Sequence, residues 1–548
     1  MPESMPFTFQ TRIQVSAETS EVLNDYARHY QALERKLYTR LRAGHAVKDL
    51  KREFIANHDI TARQFNAIRV ELEGKLDSLR KLASIHVSDI KARIKDLKAW
   101  IKKAEKQIVK PGVDENQVEK KRFALHQKKR RLNRFELKCR EIESRLDSDK
   151  LKICFGSRKL FRAQFQLAEN GFESHQDWKQ AWDNARSNQF FVLGSKDETA
   201  GCQGCQAVPQ DDNSFTVKLR IPDALGAGKT VVIPGVIFSY GHDKIMAALV
   251  SGCRIEAMTK AGKPCVRRTG TAISYRFLRD RKGWRIFASV AVQAPEQISE
   301  VRAGAIGIDL NADHLAMSEV DRFGNPVLTK RVDINCYGKT QNQATAIIGD
   351  AVQVVVQHAI KTSRPVVIES LDFTKRRAEL GSDNPKQARM LSSFSYNKIQ
   401  SMLRAACFRA GIEIVSVNPA YTSTIGAVNY AQRLGISVHC GAAIAIARRG
   451  LGFSENPPKR RVFVPAHKSG HVTFDLPVRN RSKHVWSYWA EIRKRLRAAH
   501  VAQARCNVLP SSLQILRELY ADRAFYVKPI EANRIQHCSG YVMDDIPW

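Results

Sequence analysis

Few folds accommodate the order in which apolar and amphipathic segments follow one another between residues 303 and 453. Three short runs are almost entirely apolar, as buried strands are, and other segments repeat apolar residues every three or four positions, as amphipathic helices do. The sequence therefore predicts an α/β domain in this part of the chain. In chain order the segments are AIGIDL, a hairpin of LAMSEVD and PVLTKRVDI, the helix QNQATAIIGDAVQVVVQHAIKT, the strand PVVIESL, the helix IQSMLRAACFRAG, the strand IEIVSV and the helix HCGAAIAIARRGLG.

Strand, hairpin, helix, strand, helix, strand, helix is the order of a ribonuclease-H-like core, whose catalytic acids sit at strand ends and on the last helix. Asp309 lies at the end of AIGIDL, and Glu369 ends the run PVVIE. A carboxylate that ends an apolar strand is costly unless it meets solvent, a cation or a partner. Two such acids on adjacent strands indicate a divalent-metal site suited to phosphodiester cleavage, with acids that only cap nearby loops as the alternative.

The charge of the chain points to the class of partner. The sequence has 89 Lys and Arg against 55 Asp and Glu, which gives a formal net charge of +34. A soluble chain tolerates self-repulsion of this size when a polyanion neutralises it, and nucleic acid is the usual polyanion. The 43% of hydrophobic residues is enough for real cores and excludes bulk disorder.

Two further features bear on location. No run approaches the roughly 18 to 20 apolar residues of a membrane span, and the N-terminus lacks the basic and apolar regions of a secretion signal. The 11 cysteines are odd in number and irregularly spaced, which is typical of reduced thiols. We expect a cytoplasmic, nucleoid-associated protein with no membrane partner.

Three segments carry a family resemblance. In order they are GIDLNADHLA at 307–316, VVIESLDF at 366–373 and VNPAYTSTIG at 417–426, followed by a helix with the pattern AA-x-x-I-A-R-R-G. In this order and spacing they resemble the split RuvC nuclease domain of the transposon-associated TnpB proteins and of type V CRISPR effectors. The resemblance covers residues 303–453.

The resemblance implies a multidomain α+β fold, in which a basic helical recognition lobe and a β-rich wedge-like domain join a RuvC/ribonuclease-H-like α/β nuclease domain. The predicted parts are an N-terminal strand of the wedge-like domain at 1–18, the helical lobe at 19–149 and the wedge-like domain with a helical insertion at 150–300. The nuclease domain follows at 301–455, and a basic C-terminal extension occupies 456–548.

The resemblance also assigns site residues. Asp309 matches the family's first metal-binding acid and Glu369 the second, while His439 stands where the family has its third acid. Imidazole can coordinate a divalent ion, although Mg²⁺ binds nitrogen less readily than oxygen. The predicted catalytic and metal-binding residues are thus Asp309, Glu369 and His439, with Mg²⁺ or Mn²⁺ as cofactor. An ordinary core or surface histidine at 439 is the alternative, with Asp475 or Glu491 as a substitute acid.

Zinc is not an expected cofactor. The family inserts a cysteine zinc ribbon before its third acid, and only a short stretch separates Tyr421 from His439 here. Cys202 and Cys205 have half of a zinc-site spacing, and no second pair follows them in the sequence.

Two basic clusters are predicted to bind nucleic acid. One lies in a helical segment between residues 120 and 140, where basic residues greatly outnumber acidic ones, whereas a solvated helix face would mix both signs. The other follows the second acid, where a nucleic-acid backbone could run into the active site, with a solvated loop as the alternative. The predicted residues are Lys128, Lys129, Arg130 and Arg131 in the first cluster and Lys375, Arg376 and Arg377 in the second.

A group of aromatic residues precedes the β-rich region. Such side chains can stack on nucleobases, but aromatic residues on amphipathic segments usually pack in a core, and a core position is predicted for them. They are Phe155, Phe161, Phe165, Trp178 and Trp182.

Together these features imply a TnpB-like RNA-guided DNA-binding protein whose partners are a guide RNA and a target DNA, and whose RuvC-like domain cleaves DNA with Mg²⁺. One alternative is a nuclease-deficient RNA-guided DNA binder that acts as a repressor or transposon accessory factor. A second alternative is an RNA-binding protein with a vestigial nuclease fold.

Overall fold

The computed structural model describes residues 2–108, 115–226, 228–258, 264–311, 313–370, 393–457, 462–465 and 471–506. The chain divides into two compact units. The N-terminal unit is Ser4–Gln293, and the C-terminal unit contains Ala294 onward together with the first three residues. The boundary lies close to the start of the predicted nuclease domain at residue 301.

The N-terminal unit combines long helices with short strands. Its helices are α1 (Ala17–Arg42), α2 (Val47–His58), α3 (Ala62–Ile108), α4 (Glu115–Asp147), α5 (Arg158–Ala163), α6 (His175–Ala185) and α7 (His242–Val250). Its strands are β1 (Ser4–Arg12), β2 (Gln189–Val192), β3 (Cys205–Pro209), β4 (Phe215–Arg220), β5 (Thr230–Val236), β6 (Cys253–Met258), β7 (Pro264–Thr269), β8 (Ile273–Asp280) and β9 (Gly283–Gln293).

Three antiparallel sheets form in this unit, with strand orders β1-β9-β8-β2, β3-β4-β5 and β6-β7. The N-terminal strand predicted within residues 1–18 exists as β1 and pairs with β9 along its whole length. Its inward residue Phe9 belongs to a core that also contains Leu23 and Tyr30 of α1 and Phe277 of β8. Burial of these aromatic and aliphatic side chains holds the first helix against the first sheet.

The helices α3 and α4 pack together along a shared apolar stripe. Ala83, Val87 and Ile90 of α3 form a small core with Cys139 and Ile142 of α4.

Two cysteines considered for zinc are buried in the N-terminal unit. Cys202 and Cys205 are both fully buried members of its main core and are free thiols. Burial raises the pKa of Cys202 to about 12 and also raises that of Cys205, so both thiols are protonated and serve as apolar core residues.

The C-terminal unit is built on one mixed sheet. Its strands are β10 (Ala305–Leu310), β11 (His314–Val320), β12 (Pro326–Asp333), β13 (Val366–Glu369) and β14 (Ile414–Val417), followed by β15 (Val462–Pro465) and β16 (His471–Phe474). Its helices are α8 (Gln341–Thr362), α9 (Ser393–Arg409), α10 (Thr422–Ile425), α11 (Gln432–Leu434), α12 (Val438–Gly450) and α13 (Val485–Cys506), with a π-helical turn at Gly426–Ala431.

The main sheet has the order β12-β11-β10-β13-β14. The first three strands are antiparallel, whereas β13 and β14 continue the sheet in parallel with β10. Helices α8 and α9 cover one face through residues such as Val355 and Leu403, and α12 covers the other through Ile444 and Ile446. This order of strands and helices confirms the α/β core that the sequence predicts.

The basic extension after this core contains the hairpin β15–β16 and the helix α13. Trp489 and Ile492 of α13 are buried in the same core as α12, so α13 is part of the C-terminal unit. No helix among the described residues is long and apolar enough to cross a membrane.

Candidate active site

The two predicted acids lie side by side in the sheet. Strands β10 and β13 are parallel neighbours, and Ile308 is paired with Ile368. Asp309 and Glu369 each follow that pair, so both side chains lie on the same face of the sheet. Only 7% of Asp309 and 5% of Glu369 is exposed. Two carboxylates buried next to each other are costly unless positive charge or hydrogen-bond donors offset their repulsion.

Helix α12 crosses this face of the sheet at very short range. A Cβ added to Gly307 would lie 2.0 Å from the carbonyl oxygen of Ala443 and 2.6 Å from the amide nitrogen of Ala447. Only glycine therefore allows β10 and α12 to approach so closely. The contact fixes the start of α12, which carries His439 as its second residue, beside the end of β10.

His439 contacts the first acid directly. Its Nδ1 lies 3.0 Å from Oδ2 of Asp309, and Asn311 Nδ2 donates to the same oxygen at 3.0 Å. The hydrogen bond with Asp309 raises the pKa of His439, which favours the imidazolium form with Nδ1–H donating to the carboxylate. In that form His439 neutralises Asp309 and cannot ligate a metal through Nδ1.

A second histidine borders this pair. The His314 ring packs edge-on against His439 with 5.0 Å between the ring centroids. Nδ1 of His314 lies 2.8 Å from Asp313, which also accepts from Arg331 at 3.1 Å. His314 and Asp313 thus hold one side of the His439 ring in place.

The second acid is held by a different segment. Thr422, the first residue of α10, donates its hydroxyl to Oε1 of Glu369 at 2.5 Å. Tyr421 before it has φ of +63°, a left-handed conformation that few side chains tolerate outside functional or strongly packed turns. Arg449 of α12 donates to the carbonyl oxygens of Asn418 and Ala420 and so fixes the loop that presents Thr422.

The structure thus brings together the three predicted site residues and adds contacts that the sequence analysis missed. Asn311 contacts Asp309, and Thr422 contacts Glu369 across 53 positions of the chain. Both residues lie in the sequence segments that carry the family resemblance. Their place in those segments is the sequence signal that could have identified them as site residues.

The chemistry of the two acids fits a hard divalent cation, because Mg²⁺ and Mn²⁺ prefer carboxylate oxygens and a buried pair of carboxylates needs positive charge. In the described part of the chain, no three His, Cys, Asp or Glu side chains form a group that could hold a metal ion. Nδ1 of His439 faces Asp309 instead, so metal ligation by His439 stays a prediction.

The first predicted basic cluster lies on α4. Arg130 and Lys129 are exposed, and Lys129 forms an ion pair with Glu105 of α3 at 2.8 Å. Lys128 lies over the ring of Trp100, and Arg131 lies over that of Phe135 within its own helix. Binding of nucleic acid by this cluster stays a prediction. The cluster of Lys375, Arg376 and Arg377 lies outside the described residues.

The two substitute acids lie on the C-terminal extension. The backbone carbonyl of Asp475 accepts from Arg495, and Glu491 is half-buried on α13 beside Ile492. The hydrogen bonds of Asp309 and Glu369 described above involve neither of these two residues.

No protein-family model matches the sequence, and no curated protein matches it either. Among solved structures, RuvC of Thermus thermophilus in complex with a Holliday junction substrate has 16% sequence identity and a TM-score of 0.20, over 26% of this chain and 88% of that one. A second structure of Thermus thermophilus RuvC has the same identity and score, over 26% of this chain and 90% of that one. A cryo-EM structure of a CRISPR-Cas12f ternary complex has 12% identity and a TM-score of 0.18, over 81% of this chain and 98% of that one. Scores of this size do not show a shared fold, and the functional assignment rests on the geometry of Asp309, Glu369 and His439.

Proposed function

We propose that the protein is a nucleic-acid-binding protein whose C-terminal unit hydrolyses phosphodiester bonds in DNA with a divalent cation. The observation that carries this proposal is the placement of Asp309 and Glu369 on one face of two adjacent parallel strands, with His439 in the first turn of α12 in contact with Asp309. Paired buried carboxylates at this position are suited to hold a hard cation at the edge of a sheet.

The residues of the candidate site have different roles. Asp309 and Glu369 would hold the cation, and a cation held there would supply positive charge to the reacting phosphate and its leaving oxygen. Asn311 and Thr422 orient the two carboxylates through the hydrogen bonds described above. Arg449 keeps the Thr422 loop in place. His439 controls the charge at Asp309 and is the candidate third ligand.

We further propose that the DNA target is selected by a guide RNA, as in the TnpB-like proteins that the three sequence segments resemble. Base pairing would then read the sequence, while basic surfaces hold the nucleic-acid backbones. The net charge of +34 and the exposed basic residues of α4 support a polyanionic partner.

A nuclease-deficient RNA-guided binder is a second candidate function, and one observation favours it. Nδ1 of His439 lies 3.0 Å from Oδ2 of Asp309, and this contact raises the pKa of His439, so a protonated imidazole there would neutralise the first acid. If His439 stays protonated and paired with Asp309, no divalent cation binds at Asp309. The protein would then act by staying bound to DNA without cutting it.

Replacement of His439 by Asp distinguishes these candidates. For the active nuclease, we expect His439→Asp to raise Mg²⁺-dependent cleavage by about tenfold, because an oxygen donor replaces a nitrogen and the cationic partner of Asp309 is removed. Wild-type protein should work better with Mn²⁺ than with Mg²⁺, and the variant should reverse this preference. His439→Ala should cleave far less than wild type with either metal. Initial rates of DNA cleavage in each metal provide the measurement.

His471→Asp is the matched control, because His471 is an exposed histidine of β16 in the same unit. It should leave the rates and the metal preference unchanged. Strong wild-type cleavage that His439→Ala leaves intact would contradict a role for His439 and direct attention to Asp475 and Glu491. Wild-type protein that binds target DNA yet cuts with neither metal would favour the nuclease-deficient binder.

A further inference from the structure

An exposed aromatic surface in the N-terminal unit contradicts the core position predicted for its residues. Phe165 is 75% exposed and Phe161 is 44% exposed, although Trp178 of the same group is buried as predicted. Exposed phenylalanines that lie next to each other mark a contact surface more often than a single exposed apolar residue does. We call Phe161, Phe165 and the ring of Trp182 behind them the aromatic platform.

The rings of the platform form a continuous series. The centroids of Phe165 and Phe161 are 6.4 Å apart, and those of Phe161 and Trp182 are 5.6 Å apart. Trp182 stacks on Trp178 at 6.0 Å, and the guanidinium of Arg186 lies over Trp182. Such rings are rigid and offer flat π-faces to a flat partner.

The platform has a firm base. Trp178 Nε1 donates to the carbonyl of Leu160 at 2.7 Å, which ties α6 to α5. Ala163 is buried on the inner side of α5. A Cβ on Gly156 would lie 2.8 Å from the Trp182 ring, so the chain can pass this ring only with glycine at that position. These contacts fix the two short helices that carry Trp182 and Phe161.

The charge around the platform indicates the chemical class of the partner. Helix α5 has the sequence RKLFRA, in which three of six residues are basic and none is acidic. Arg158 and Lys159 are exposed next to Phe161. Across α6, a cavity of about 710 Å³ is lined by Arg28, His175 and Lys179 together with one acid, Asp183, and the His175 ring also contacts Trp178. Basic side chains beside flat aromatic rings match a strand of nucleic acid, whose bases stack while its phosphates pair with the cations.

From this surface we infer that the aromatic platform binds an unpaired segment of RNA, with bases stacked on Phe161 and Phe165 and phosphates held by Arg158 and Lys159. Stacking requires bases that are free of a duplex, and RNA presents such bases in loops and ends, whereas cellular DNA is mostly paired. The choice of RNA rests on the proposed function, which gives the protein an RNA partner, while the stacking surface itself rests on the exposed rings and charges.

The test uses full-length protein freed of copurified RNA, in EDTA and without DNA, so that cleavage has no part in it. The probe is a fluorescein-labelled single-stranded RNA of mixed sequence without self-complementarity, and its affinity is measured by anisotropy at several salt concentrations. We expect the double variant Phe161→Ala/Phe165→Ala to lose at least about tenfold in affinity, because each lost stack weakens binding and two rings are removed. Phe161→Tyr/Phe165→Tyr should retain the affinity, because tyrosine stacks as well as phenylalanine.

The salt dependence separates stacking from charge. Removal of the rings should leave the slope of log affinity against log salt unchanged, whereas Arg158→Gln/Lys159→Gln should make it shallower, because fewer counterions are released. Phe323→Ala is the matched control, since Phe323 is 62% exposed in the C-terminal unit beside Arg322. It should bind RNA as the wild type does.

Unchanged RNA affinity of the folded Phe161→Ala/Phe165→Ala variant would overturn the inference, as would an equal loss toward duplex RNA. A larger loss toward single-stranded DNA of the same sequence than toward RNA would overturn the assignment of RNA as the partner. Far-UV circular dichroism checks that each variant is folded. Protein that needs the platform for RNA yet cuts no DNA would preserve this inference and contradict the proposed nuclease.

Discussion

Asp309→Asn and Glu369→Gln should each reduce metal-dependent DNA cleavage by at least about a hundredfold and leave RNA and DNA binding nearly unchanged. A hard cation held by very few oxygens cannot lose one of them, and even changes to residues that only orient a ligand cost roughly 10- to 100-fold. Both replacements keep the size of the side chain, so the buried face of the sheet remains filled. Cleavage of guide-matched DNA and retention of that DNA on a filter are measured on the same preparations.

Asp333→Asn provides the matched control for the two acids. Asp333 ends β12 in the same sheet but is exposed and paired with Arg331 at 2.7 Å. Its replacement should leave cleavage unchanged. Full activity of Asp309→Asn would contradict the proposed metal site, because Asp309 is the carboxylate that β10 places beside Glu369.

Reversal of the basic cluster on α4 should reduce RNA affinity at about 150 mM salt by at least about tenfold, because each reversed residue removes a phosphate contact and adds repulsion. The variant carries Lys128→Glu, Lys129→Glu, Arg130→Glu and Arg131→Glu. Wild-type affinity should itself fall steeply, by roughly a thousandfold between about 50 and 200 mM salt if six or more phosphates are neutralised. Both results come from RNA titrations at several salt concentrations.

A location control separates the α4 cluster from net charge alone. A second variant with four exposed lysines reversed elsewhere has the same total charge, and its RNA affinity should fall much less. A larger loss of RNA affinity in the α4 variant than in the control variant would place RNA on α4. Equal losses in the two variants would mean that RNA affinity depends only on the total charge of the protein. The four control positions are Lys48, Lys196, Lys282 and Lys339.

The sequence predicts the mixed sheet of the C-terminal unit well because its signals are local. Buried strands such as AIGIDL and PVVIESL are apolar on both faces, and the order of strands and helices leaves few arrangements. The positions of Asp309 and Glu369 follow from the same signal, since an acid that ends such a strand needs a special environment. The pairing of β10 with β13 then brings the two acids together.

Other features depend on tertiary contacts that no local pattern contains. The Thr422 hydroxyl donates to Glu369, which lies 53 positions earlier in the chain. The Asn311 side chain donates to the carboxylate of Asp309, two positions before it. The short helix α7 and the strands β6 and β7 were not predicted, since their sequences have no clear period. The core position predicted for Phe161 and Phe165 was wrong because amphipathic spacing does not say which face of a short helix is covered.

His439 and Asp309 act as a pair within the site. The sequence has His439 where the resembled family has an acid, but the direct contact with Asp309 is visible only in the structure. The contact connects the third position of the site to the first. Any change at His439 therefore alters both the possible ligand set and the charge of Asp309.

Cleavage of a DNA that matches the protein's own RNA tests the proposed nuclease most directly. RNA that copurifies with the full-length chain is sequenced, and DNA complementary to it is incubated with the complex in Mg²⁺, in Mn²⁺ and in EDTA. We predict cuts in matched DNA only when a divalent cation is present, and their loss in Asp309→Asn. Matched DNA that is bound but remains intact in both metals would contradict the nuclease assignment.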